Sequence, residues 1–145
     1  MIPIQSPFIY DKDIPDVLLP ELKRNLEQWT WVIPVWCERV FVGYSVDCDD
    51  EGATACCRVE YPYRWARITF FPCFLTQHDP GKDALHELIH IPLAVAGDWA
   101  REKFKTLVSE DDNPTLRQSL LDDLKDRVES ATEDIASRIA AQTKT

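Results

Sequence analysis

No stretch of the 145-residue chain approaches the roughly 20 apolar residues that a membrane span requires, so no spanning helix is expected. The opening residues Met1-Ile2-Pro3-Ile4-Gln5-Ser6-Pro7 carry neither a basic start nor an apolar run, and a cytoplasmic protein is the expectation. Basic residues are scarce. The 16 Lys and Arg stand against 25 Asp and Glu, a formal charge of −9, and such a field repels a phosphate backbone. Neither nucleic acid nor a membrane is therefore expected as a partner. No CxxC pair occurs, which removes the usual support for a cysteine-only zinc site. Cysteines 37, 48, 56, 57 and 73 are odd in number, lack the spacing of a disulfide framework, and read as reduced thiols filling a core. Internal repeats and low-complexity tracts are absent as well.

What is present is ordinary for a folded domain: 45% apolar and 28% charged residues, in a length that one core can serve without disulfides. A single domain over residues 1–145 is expected. Leu18, Leu22, Leu26 and Trp29 recur at helical spacing, and Pro20 is tolerable only in a first turn, so the spacing predicts a helix over 19–29. Alternation then predicts three strands. The first lies within 35–46, the second carries Cys57, Val59 and Tyr61, and the third carries Ala66, Ile68 and Phe70 on one face. Short turns between them imply an antiparallel meander. The polar run 76–83, with Pro80-Gly81, leads into a helix that Asp79 or Asp83 caps and that Pro92 is expected to bend. After a linker at 109–114, Leu116, Leu120, Leu124, Val128, Ala131, Ile135 and Ile139 mark a long amphipathic helix. Strands followed by helices favour the α+β class, with the last helix beside the helix that starts near residue 80.

Residues 86–90 read His-Glu-Leu-Ile-His. On a helix, side chains at i and i+4 share a face, so both imidazoles can reach one ion. Zinc suits two neutral imidazoles plus a carboxylate, with a fourth position open for water, which is the pattern of catalytic sites. Glu87 lies about 100° around the helix from His86 and is placed to accept a proton from the water that the ion activates. With three His and ten Glu in the chain, the motif is expected by chance roughly 0.004 times. The competing structural reading is a pair of core histidines that only hydrogen-bond.

The chain at this point resembles the zincin metallopeptidases, and within them the glutamate-zincin type, in which an HExxH helix is followed by a helix that donates a Glu ligand. The resemblance rests on His86-Glu87-Leu88-Ile89-His90 and on Glu133-Asp134-Ile135-Ala136-Ser137-Arg138-Ile139-Ala140. It covers the order of elements over most of the chain and is similar to the minimal, single-domain forms of bacterial and phage genomes. Leu93 and Ala96 stand where the metzincin branch has Gly and His. The resemblance implies a zinc-dependent hydrolase that cleaves peptide bonds in peptide or protein substrates, with Glu87 as general base and His86, His90 and Glu133 as ligands. It also implies that a strand before the helix, Trp65 to Phe71 or a neighbour, offers its edge to an extended peptide.

No histidine follows His90, so the third ligand must be a carboxylate, a cysteine or His78. Asp98 and Glu102 lie about 12–18 Å along a continuous helix and are too distant. The last helix offers Glu129, nearer the centre of its apolar stripe, and Glu133, whose register resembles the family's Glu helix and which is the choice here. No Tyr or His follows His90 to stabilise an oxyanion. His78, Arg127 and Arg138 are the residues able to approach instead. Trp31, Trp36, Phe71 and Phe74 are expected in the core. Two other functions fit the same residues: an inactive, zinc-stabilised interaction module, and a hydrolase of a non-peptide amide.

Overall fold

The alternating segments form strands and the helical spacings form helices in the computed structural model, which describes residues 6–47, 53–76 and 79–143. In chain order the elements are β1 (Phe8–Tyr10), α1 (Leu19–Glu27), β2 (Arg39–Tyr44), β3 (Ala55–Glu60), β4 (Trp65–Phe70), α2 (Pro80–Leu107) and α3 (Pro114–Thr143). Short 3-10 turns lie at Thr30–Val32, Tyr61–Tyr63 and Pro72–Thr76. The class is α+β, with three α-helices and one mixed sheet. No helix among the described residues is long and apolar enough to cross a membrane.

The sheet is not the three-stranded antiparallel meander that alternation suggested. Four strands lie in the order β1-β2-β4-β3; β1 with β2 and β2 with β4 are parallel, and only β3 with β4 is antiparallel. The reason is that a period of two fixes which residues share a face and says nothing of a partner's direction. Tyr61–Tyr63 and Arg64, the latter left-handed at φ 60°, make a tight link from β3 to β4. β3, by contrast, lies at the far edge of the sheet. β4 then returns between β2 and β3. Phe8–Tyr10 spans only three residues, too few for a periodic signal, and α1 is the crossover that makes β1 and β2 parallel.

One glycine is explained by this order. A Cβ on Gly43 of β2 would come within 2.9 Å of both Arg67 Nη2 and Asp11 Oδ2, the ion pair that reaches across β2 from β4 to the residue after β1.

The chain divides into two compact units, Met1–Pro92 and Leu93–Thr145. In the first, Val40 and Val42 of β2, Ala66, Ile68 and Phe70 of β4, Leu22 and Leu26 of α1, and Leu85 and Leu88 of α2 are fully buried. Phe74 completes this core edge-on to Phe70, with ring centroids 4.5 Å apart. Buried Trp29 donates its indole N–H to the carbonyl of Gly81 at 3.1 Å, tying the chain after α1 to the start of α2. That start is capped as the sequence suggests. Asp79 Oδ1 accepts the N–H of Lys82 at 3.1 Å, and Pro80 takes a first-turn position where no N–H is needed. α2 runs on through Pro92.

In the second unit α3 begins in the same way, with Asn113 Oδ1 accepting the N–H of Leu116 at 3.0 Å ahead of Pro114. Its buried positions are Thr132, Ala136 and Ala140, while Ile135 and Leu116 are exposed. The apolar stripe therefore differs from the expected one. Burial continues in steps of four from Val128 and does not step back through Ala131. Thr132 satisfies its hydroxyl on Val128 O at 2.7 Å.

Leu22→Ala should destabilise the protein by about 2–5 kcal/mol in urea unfolding, whereas Val17→Ala, at an 83% exposed position, should change it by less than about 0.5 kcal/mol. Equal effects would show that the α1 face is not in the core.

Stability should also fall in alkali. Burial pushes the Cys37 thiol up to about 11, and burial with the neighbouring Glu27 carboxylate raises the Tyr10 phenol well above its usual range. An unfolded thiol loses its proton near about 8.5, so above that pH the unfolded state binds fewer protons than the folded one. The urea midpoint of the reduced protein should hold from pH 7 to about 8.5 and then fall towards pH 11. A flat profile would contradict the buried thiol.

Candidate metal centre

The residues of the motif stand in the second and third turns of α2, where burial is unusually complete. Ala84, Leu85, Glu87, Leu88, Ile89 and Ile91 are all buried, and His86 and His90 occupy the half-open strip that remains. Their i, i+4 spacing places the two rings together, with centroids 5.0 Å apart and planes at 73°. The two Nε2 atoms lie 3.2 Å apart.

That separation has two chemical meanings. One neutral imidazole can donate an N–H to the other, which is the structural reading of the pair. Equally, two nitrogens each held about 2.0–2.1 Å from a tetrahedral zinc are separated by about 3.3 Å. The pair thus has the edge length of a tetrahedral zinc site.

Glu87 is buried at 8% exposure, an unusual place for a carboxylate. Its setting includes β3. Cys57 pairs with Ile68 and shares its inward face, and the Cys57 thiol is raised well above its usual range, first by burial and then by the charge of Glu87. The field of the buried carboxylate thus reaches the middle of β3. The motif alone does not reveal this neighbour, because thirty positions separate the two residues. The alternation that turns Cys57 inward was the available signal.

On α3, Glu129 and Glu133 are both exposed and one turn apart. Ser137 donates to Glu133 Oε1 at 3.3 Å.

The expected oxyanion donors are placed as follows. Arg127 pairs with Asp123 at 2.9 Å and Arg138 with Asp134 at 3.3 Å, each on the exposed surface of α3. His78 lies outside the described residues. Of the aromatic residues expected in the core, Phe71 and Phe74 are buried, but Trp31 is 66% exposed and Trp36 is half-buried. Trp65–Phe70 does not supply a sheet edge, since β4 is paired on both sides; the neighbour β3 lies at the edge. Comparison with known proteins finds no matching family model, no similar curated protein and no similar solved structure.

Proposed function

We propose that the protein is a zinc-dependent hydrolase of the zincin type, a metallopeptidase in which His86 and His90 hold the ion and Glu87 is the general base. The observation that carries the reading is the 3.2 Å spacing of the two Nε2 atoms, which fits two ligands of one tetrahedral ion. Zinc at such a site polarises a carbonyl and acidifies water.

The chain's own contribution is placement. Rigid packing of Leu85, Leu88 and Ile91 fixes the ring positions of the histidines, and the burial of Glu87 keeps its carboxylate in a poorly solvated setting where a proton acceptor is strong. β3, an edge strand of the sheet, supports a peptide as the substrate, because an edge can pair with an extended chain through backbone hydrogen bonds.

A zinc chelator should abolish hydrolysis, and Glu87→Gln should lower kcat at least about a hundredfold while zinc stays at one per chain. Undiminished hydrolysis by Glu87→Gln would remove the base. A loss of zinc in that variant would make Glu87 a ligand.

The third ligand is proposed to be Glu133, whose register on the last helix resembles the Glu helix of the glutamate-zincins. Glu133→Gln should weaken zinc binding at least about tenfold and Glu129→Gln should change it little, measured by competition with a chromophoric chelator. The opposite ranking transfers the ligand to Glu129.

A further inference from the structure

We propose that the outer face of the sheet is a docking surface for an acidic protein segment, in which two carboxylates flank an apolar side chain. The inference is independent of the metal centre and of the hydrolase reading.

The sheet has one covered face and one open one. Val40, Val42, Ala66, Ile68 and Phe70, all fully buried, share a face because alternate residues of a strand point the same way. The intervening residues point to the other side. The register sets Ile9 of β1, Phe41 of β2, Arg67 of β4 and Arg58 of β3 in one row across it, with Arg39 and Trp65 in the next. Apart from Gly43, no strand residue on this side is buried; Ile9 is 43% exposed and the Arg58 side chain 74% exposed.

Rings and guanidiniums alternate here. Arg39 lies over the Phe41 ring at 5.9 Å, Phe41 meets Trp65 edge-to-face with centroids 5.8 Å apart, and Arg58 lies over the Trp65 ring at 6.0 Å. A guanidinium resting on a ring keeps its fork of N–H donors for a carboxylate and loses little freedom when it binds one. Arg and aromatic residues are also the types that protein interfaces enrich and that carry most of their binding energy.

Charge selects the occupant. In a chain of formal charge −9 the strands turn three Arg and a single carboxylate, Glu60, to this side. Arg58 pairs with Glu60 and Arg67 with Asp11, whereas Arg39 forms no ion pair among the described residues. Carboxylates on the partner complement this face. A single-stranded nucleic acid is the competing occupant of a basic, aromatic sheet face. Base stacking needs an uncovered ring, and here a guanidinium lies over each one. The acidic chain also repels a phosphate at every nucleotide, but only two charges on a short segment.

Spacing sharpens the motif. Arg39 and Arg58 are two strands and two residues apart in the register, which at about 4.8 Å per strand and 3.3 Å per residue is about 12 Å. An extended segment brings residues four apart to the same side at about 13 Å, with the residue midway between them also on that side. The segment therefore reads acidic, any, apolar, any, acidic, and its middle side chain rests on Phe41 and Trp65.

A ladder that only braces the strands would contribute stability and bind nothing. The test is selection of a displayed random nonapeptide library on the wild type with a zinc chelator present, so that the metal centre takes no part. Enriched peptides and an oligothymidylate dodecamer are then measured by fluorescence anisotropy against wild type, Arg39→Ser, Arg58→Ser and the double variant. The peptides should carry two acidic residues four apart around an apolar one. Each single variant should bind them at least about fivefold more weakly while remaining folded by circular dichroism, and Arg39→Lys should recover only part of the loss. Enrichment of no such motif, equal binding by the double variant, or tighter binding of the dodecamer overturns the proposal. Self-association that depends on Arg39 and Arg58, seen by sedimentation, overturns it as well, because a second copy is then the occupant.

Discussion

A helix buried around most of its circumference leaves only one strip on which polar side chains can stand, and the first turns of α2 meet that constraint. Six of the eight residues from 84 to 91 are buried, so the histidines share the strip by necessity. The same packing is the source of their precision. Side chains on a helix that cannot rock against its core have fewer rotamers open to them than histidines on an exposed surface helix. The cap at Asp79 and the Trp29 to Gly81 hydrogen bond belong to the same device, because they set where the helix begins against α1 and its neighbours.

Much of this was legible from residue spacing. The start of α1, the capped start of α2 and the presence of a long α3 follow from periodicity, Asx caps and proline chemistry, all of which act within a few residues, whereas the break expected at Pro92 does not interrupt α2. Strand direction is not local. β3 and β4 are joined by a turn short enough to dictate their antiparallel pairing, yet nothing in Arg39–Tyr44 reveals that its partner is β4 and not β3. β1 escaped because three residues cannot display a period, and its partner choice depends on the crossover through α1. Along α3 the buried row drifts because four residues exceed one helical turn by about 40°, so Thr132 and Ala136 take the buried places that hydrophobicity alone assigns to Ala131 and Ile135.

For the site, the balance is similar. His86 and His90 could be paired from their i, i+4 separation, and Glu87 could be assigned a separate role because it turns away from them. That Glu87 lies in the protein interior depends on long-range packing of α2, which no short motif encodes. The buried setting of Glu87 was hidden from the sequence, whereas its place in the motif was plain.

The strand order also bears on assembly. β4 must enter between β2 and β3, although β3 precedes it in the chain. Inserting a lone strand into a closed gap would break and remake ladder hydrogen bonds. Docking a preformed β3–β4 hairpin against β2 avoids that, and hairpins of this size form in about 1–10 μs, well before a crossover through a helix is complete. The outer edge of β3 would then be built first, as half of an independent ribbon, and the parallel part of the sheet would grow onto its other side. Variation in the length of 45–54 would consequently alter how fast the ribbon finds β2 while leaving the ribbon itself, and the geometry of its outer edge, untouched.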